Sequence, residues 1–238
     1  CLLSTIMGGA TTGQLLAEVP WDVLVILVGL GLLSELLVTS RLFGLMSLWS
    51  AEASHANPRR LLLFFAAGMY VVSGLVNNLT ALLLVLPILL ILLKLMGVGQ
   101  RYLSWLLGVV LVACNLGGAA TPIGDFPAIL LLGKGRMDFA SYLRFAAPTT
   151  AVALTVLLLL VTWVARPTAK TTASALSEQI SVGVIRRLYR NVRLDWRLAV
   201  PSLSWLGLML VAWLLVPQRS GITPDTICWI GVCMALLW

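Results

Sequence analysis

Charge is scarce in this chain. Of 238 residues only 11% are Asp, Glu, Lys or Arg, against roughly 25% in soluble domains. Histidine is all but missing: His55 stands alone, in a polar connection, and catalysis by a membrane-embedded histidine or a histidine-bound zinc is excluded with it. The four cysteines (Cys1, Cys114, Cys228, Cys233) lie in or beside apolar stretches, with no ligand-like spacing to His55. They read as small buried apolar residues, although Cys114 borders a polar cluster and would be in place to line a site. No phosphate-cradling loop is present, because Gly133-Lys134-Gly135-Arg136 lacks the preceding strand and the Walker spacing. No partner for Asp125 exists in another apolar span, which removes an intramembrane aspartyl protease. No secretory signal peptide is visible at the start.

What is abundant is apolar surface. The chain is 60% hydrophobic, with a mean hydropathy of +1.02, and this composition belongs to an all-α polytopic membrane protein. The net charge of +7 sits in loops between apolar runs. It is read as membrane orientation, and no nucleic-acid partner is expected.

Residues 23–39 form one apolar span, opened by Pro20-Trp21-Asp22 and carrying Glu35 near its end; residues 41–60 read as a polar connection. Residues 61–95 are too many for one crossing of about 30 Å at 1.5 Å per residue. Their middle is Asn77-Asn78-Leu79-Thr80. A helical hairpin that dips into the membrane and returns fits both facts. Residues 102–132 carry a second polar middle, Asn115 to Asp125, with Gly117, Gly118, Gly124 and Pro122, and read as a discontinuous helix. Spans follow at 145–164 and 198–216. Between them, residues 165–197 form a basic connection, with an amphipathic surface helix expected over 178–195. With 61–95 returning to its own side, twelve Lys and Arg residues collect on one face of the membrane and four on the other. The basic loop at 166–197 is therefore expected to be cytoplasmic, in a cell membrane. The last apolar run begins near Ile222, and Asp225 to Trp238 supplies fewer than the roughly 20 residues of a span, so the chain reads as part of a longer one, with residues 1–20 the tail of a preceding element.

Backbone freed from helical hydrogen bonds cannot face lipid; each unsatisfied group costs several kcal/mol. Two polar breaks at membrane depth therefore point to a buried site for something small and polar. Helix ends at such breaks offer carbonyls to cations and amides to anions. Asp125 is open to two readings, an ion or proton site or a cap for the short arm that follows. Asn77, Asn78 and Thr80 likewise admit a simpler role as a polar helix–helix contact.

At these residues the chain resembles the ion transporter superfamily, in particular its arsenite permease and NhaD-type sodium–proton antiporter branch, related to divalent anion–sodium symporters. The motif Ser-x-x-x-Asp-Asn-x-Thr, followed by Pro, is matched by Ser73 to Thr80 and Pro87. The motif Ser-Asn-x-Gly-Gly-x-x-Thr-x-Ile-Gly-Asp-Pro-Pro-Asn is matched by Cys114 to Ala128. The resemblance covers residues 21–164 and implies one half of an inverted-repeat transporter, with residues 198–238 starting the second half. It implies a substrate and ion site made by Asn77, Asn78, Thr80, Asn115, Gly117, Gly118, Thr121, Gly124 and Asp125, with sodium at Asn78, Asn115 and Gly118. The expected function is secondary active transport of a small inorganic ion or organic anion, coupled to sodium, protons or the membrane potential. A homodimer without an enzymatic cofactor is expected. The alternative is a non-transporting subunit that binds a partner. Two departures bear on the chemistry: Asn77 replaces the family's Asp, and Phe126-Pro127-Ala128 replaces Pro-Pro-Asn.

Overall fold

The computed structural model describes residues 11–17, 19–54, 57–95, 99–133, 138–164, 194–215 and 222–237. Among these every regular element is a helix. After the short α1 (Thr12–Ala17) come α2 (Trp21–Thr39), α3 (Leu42–Ala53), α4 (Pro58–Leu75), α5 (Asn78–Leu95), α6 (Gln100–Ala120), α7 (Phe126–Gly133), α8 (Phe139–Val164), α9 (Trp196–Leu215) and α10 (Pro224–Leu237). Four of them, α2, α6, α8 and α9, are long and apolar enough to cross a membrane. Large apolar side chains stand exposed along α8, among them Phe145, Val152, Leu159, Leu160 and Trp163. An apolar surface of that extent is stable only against lipid or further protein. The chain is an all-α integral membrane protein.

Polar residues begin most of these helices. Asn57 caps α4 by accepting from the amides of Arg59 and Arg60, with Pro58 in the first turn, where a missing N–H costs nothing. Asn77 caps α5 through the Leu79 amide at 2.9 Å, Asp138 caps α8 through the Ser141 amide at 3.1 Å, and Asp195 caps α9 through the Arg197 amide at 3.0 Å.

Helices occupy the main apolar segments of the sequence, with three differences from expectation. The connection at 41–60 contains a helix, α3, whose Phe43 is buried against α4 and α5. The hairpin break is only Val76 and Asn77, so Asn78 and Thr80 already belong to the first turn of α5. The second break is also shorter than its polar cluster. Helix α6 runs unbroken through Asn115, Gly117 and Gly118 to Ala120, and only residues 121–125 leave helical geometry. The expected surface helix at 178–195 and the basic connection fall almost entirely outside the described residues, as do residues 1–10.

Side-chain contacts fix the topology around the breaks. The Tyr102 hydroxyl, near the start of α6, donates to the Pro58 carbonyl at the start of α4 (2.8 Å). Thr121, just past the end of α6, donates to Gly74 near the end of α4. Helices α4 and α6 therefore run parallel, and α5 must carry the chain back to the end at which α4 begins. Each hairpin arm has 18 residues, about 27 Å of helix. Helix α8 lies antiparallel to α6, with Tyr142 donating to the Ala119 carbonyl (3.0 Å) at one end and Leu157 and Val161 facing the Arg101 end at the other. On the opposite side α2, α9 and α10 pack together, and α7 lies against α2 and α10.

Candidate functional site

The two breaks meet. Helices α4 and α6 end at the same place, and α5 and α7 start there. Two carbonyl-bearing C-termini and two amide-bearing N-termini thus converge, an arrangement with partial negative and partial positive poles side by side.

Glycine makes the approach possible. A Cβ on Gly117 would overlap the backbone of Tyr70, and one on Gly118 would overlap the side-chain amide of Asn78. A Cβ on Gly124 would run into the Ser73 carbonyl and the backbone of Gly118. The first arm and tip of the hairpin therefore lie directly on the backbone of the broken helix. Gly117, Gly118 and Gly124 are all buried, and interior sites this close-packed accept no added methyl group without movement.

Two small polar networks lock this contact. Thr121 is the hub of the first: its hydroxyl donates to the Gly74 carbonyl and accepts from the amides of Ile123 (3.3 Å) and Gly124 (3.4 Å). One side chain thus satisfies an orphan carbonyl at the end of α4 and shapes the turn after α6. In the second, the Ser73 hydroxyl donates to the Asn78 side-chain oxygen and also lies 3.4 Å from Cys114 Sγ. The Cys114 thiol lies 3.3 Å from the Asn78 carbonyl and donates to it. Cys114 is therefore a member of the network as well as a buried apolar residue. Ser73 was not among the expected site residues, and Cys114 was singled out only for its place beside the polar cluster; both lie inside the two motifs.

The remaining expected residues divide. Asn77 is exposed at the tip and its oxygen is engaged in capping. Thr80 is half-buried, one turn into α5. Asp125 is half-buried and accepts from the adjacent Phe126 amide at 2.9 Å at the start of α7, and its second oxygen has no partner among the described residues. Asn115 stands apart. One position beyond Cys114, it is exposed on the face of α6 that carries Leu111 and Val112, and it makes no side-chain hydrogen bond among the described residues. Asn78 and Gly118 are thus in contact, while Asn115 presents its amide to a different side. Two tyrosines that sequence reasoning passed over hold the arrangement to α8: Tyr142 through Ala119, and Tyr70 through Thr150 Oγ1 (2.9 Å), beside the Pro148 interruption.

Among the described residues no group of three His, Cys, Asp or Glu side chains converges. The oxygens at the junction come from amides, hydroxyls, backbone carbonyls and the Asp125 carboxylate, donors that suit a hard cation; the α5 N-terminus, which carries no acid, suits an anion.

A family model described as citrate transporter matches residues 1–237. The chain belongs to the citrate transporter family. It is similar to uncharacterized transporter Rv2685 of Mycobacterium tuberculosis, 29% identical over 147 residues, or 62% of this chain and 34% of that protein. It is also 29% identical to the 46 kDa membrane protein of Mycobacterium leprae over 139 residues, 58% of this chain and 32% of the relative. The magnetosome protein MamN of Paramagnetospirillum magneticum is 29% identical over 157 residues, 66% and 35% of the two chains. The match spans about a third of the length of each of these relatives.

Proposed function

We propose that the protein is a secondary active transporter for a small organic anion of citrate-like, carboxylate chemistry, coupled to sodium, protons or the membrane potential. The observation that carries this reading is the convergence of four helix ends at the contact between the α4–α5 tip and the α6–α7 break. The family description supports the carboxylate part of this reading. The carboxylate groups of the anion would be received by the α5 N-terminus and by the amide of Asn78. A coupling cation would take oxygens from the α4 and α6 ends. In this reading the α4–α5 hairpin is re-entrant and its tip moves, with α6 and α7, against α2, α9 and α10. The basic connection at 166–197 is cytoplasmic in a cell membrane, and the protein works as a homodimer. Asn77, in place of an acid, favours carboxylate transport over sodium–proton antiport of the NhaD kind and over an arsenite permease.

The test is uptake of radiolabelled citrate by the full-length protein in proteoliposomes under imposed sodium and proton gradients. The expected result is gradient-driven uptake that Asn78→Ala abolishes. Absence of uptake of citrate and of other di- and tricarboxylates under every gradient would overturn the substrate class. Full uptake by both Asn78→Ala and Thr121→Val would overturn the site.

A further inference from the structure

A groove of 490 Å³ runs between α6 and α8, away from the junction of the two breaks. Its floor and walls are Gly108, Val109 and Val112 of α6 with Leu157 and Val161 of α8, and Trp105, Ser104 and Arg101 lie toward one mouth. Three features give it a direction. Arg101 is exposed and has no hydrogen-bond or ion-pair partner among the described residues. No acidic side chain lines the groove. Gly99, the cap of α6, offers no side-chain acceptor to the first-turn amides, so the positive pole of the helix lies beside the guanidinium. From Arg101 to Val112 the apolar floor extends for about 16 Å, the reach of much of an acyl chain. At Gly108 a Cβ would meet nothing within 4 Å, which leaves the groove open at its middle.

We propose that this groove is a binding site for one anionic phospholipid, its phosphate on Arg101 and the amides at the start of α6, and one acyl chain laid along Gly108 toward Val112. The charge complementarity sets this groove apart from another of similar outline. A second groove of 550 Å³ along α9 has a similar outline, with Trp196, Arg197, Val200, Pro201, Ser204 and Trp205. There the Asp195 carboxylate caps the helix at the mouth and cancels the attraction. The second groove therefore takes lipid without preference for headgroup charge.

The experiment is native mass spectrometry of the full-length protein released from nanodiscs of equal phosphatidylglycerol and phosphatidylcholine with matched chains. One basic contact near the membrane surface predicts retention of phosphatidylglycerol over phosphatidylcholine by about fivefold. Arg101→Gln removes the preference and Arg197→Gln leaves it. Gly108→Leu fills the groove and lowers retention of both lipids while helical content is kept and the melting temperature does not fall. Equal retention of the two lipids by the unsubstituted protein would overturn the proposal. So would a preference that survives Arg101→Gln, or no retained lipid at all, the result expected if further polypeptide or a second copy covers this face.

Discussion

Two glycines in the same helix should respond to alanine in opposite ways. Gly108 and Gly117 both lie in α6, and in each case alanine raises helix propensity by about 0.8–1.0 kcal/mol. At Gly108 the new methyl group meets nothing within 4 Å, so Gly108→Ala is expected to stabilise by up to about 1 kcal/mol. At Gly117 the methyl group overlaps the Tyr70 carbonyl group and lies 2.8 Å from Tyr70 Cα. The obstacle is backbone on a packed helix, so no rotamer change relieves it and α4 must back away from α6. Overpacking of this kind costs about 1–3 kcal/mol, at the upper end where the backbone must move. After the propensity gain, Gly117→Ala is expected to destabilise by about 2 kcal/mol. The two variants should then lie about 3 kcal/mol apart in reversible unfolding in mixed micelles. A Gly117→Ala protein as stable as the unsubstituted one, or stabilised like Gly108→Ala, would refute the close approach of α4 and α6.

Other outcomes follow from the same contacts. Thr121→Val removes the donor to the Gly74 carbonyl and should cost about 1–2 kcal/mol in the same unfolding assay, with Thr121→Ser retaining most of the stability. Tyr70→Phe cuts the tie to Thr150 and should lower stability by about 1 kcal/mol. Hydrogen bonds from Ser141, its hydroxyl first and its amide second, hold the Asp138 carboxyl below its ordinary range. A depressed carboxylate contributes stability above its unfolded value, near 3.9, and loses that contribution as pH falls through the folded value. The melting-temperature difference between the unsubstituted protein and Asp138→Asn, followed downward from pH 6, should therefore shrink in that acid window.

Much of this architecture was legible because lipid leaves the chain few choices. Runs such as 145–164 and 198–216 have one stable form in a membrane, and α8 and α9 cover them. The hairpin was legible for the same reason, since 35 apolar residues with asparagines at the centre cannot be one crossing. Helix α3 was hidden by Glu52 and by the charges around it, although Leu42, Phe43, Met46 and Trp49 keep helical spacing. The extent of the second break was overestimated because Asn115, Gly117 and Gly118 are poor helix formers in isolation. They stay helical because the hairpin packs on Gly117 and Gly118, a long-range contact that local propensity does not reveal. The same limit applies to the site. Which residues border a break is written in the sequence; that Asn78 lies on Gly118 while Asn115 faces elsewhere depends on the register of α5 against α6.

The central claim, that the two breaks together make the substrate site, is tested most directly by substrate protection at the hairpin. In the full-length protein, with native cysteines replaced and transport retained, Thr80→Cys places a thiol one turn into α5, and Trp163→Cys places one on the exposed end of α8. Citrate is predicted to slow maleimide labelling at position 80 and to leave position 163 unchanged. Labelling at position 80 that is indifferent to saturating citrate, in a protein that still transports it, would contradict the account.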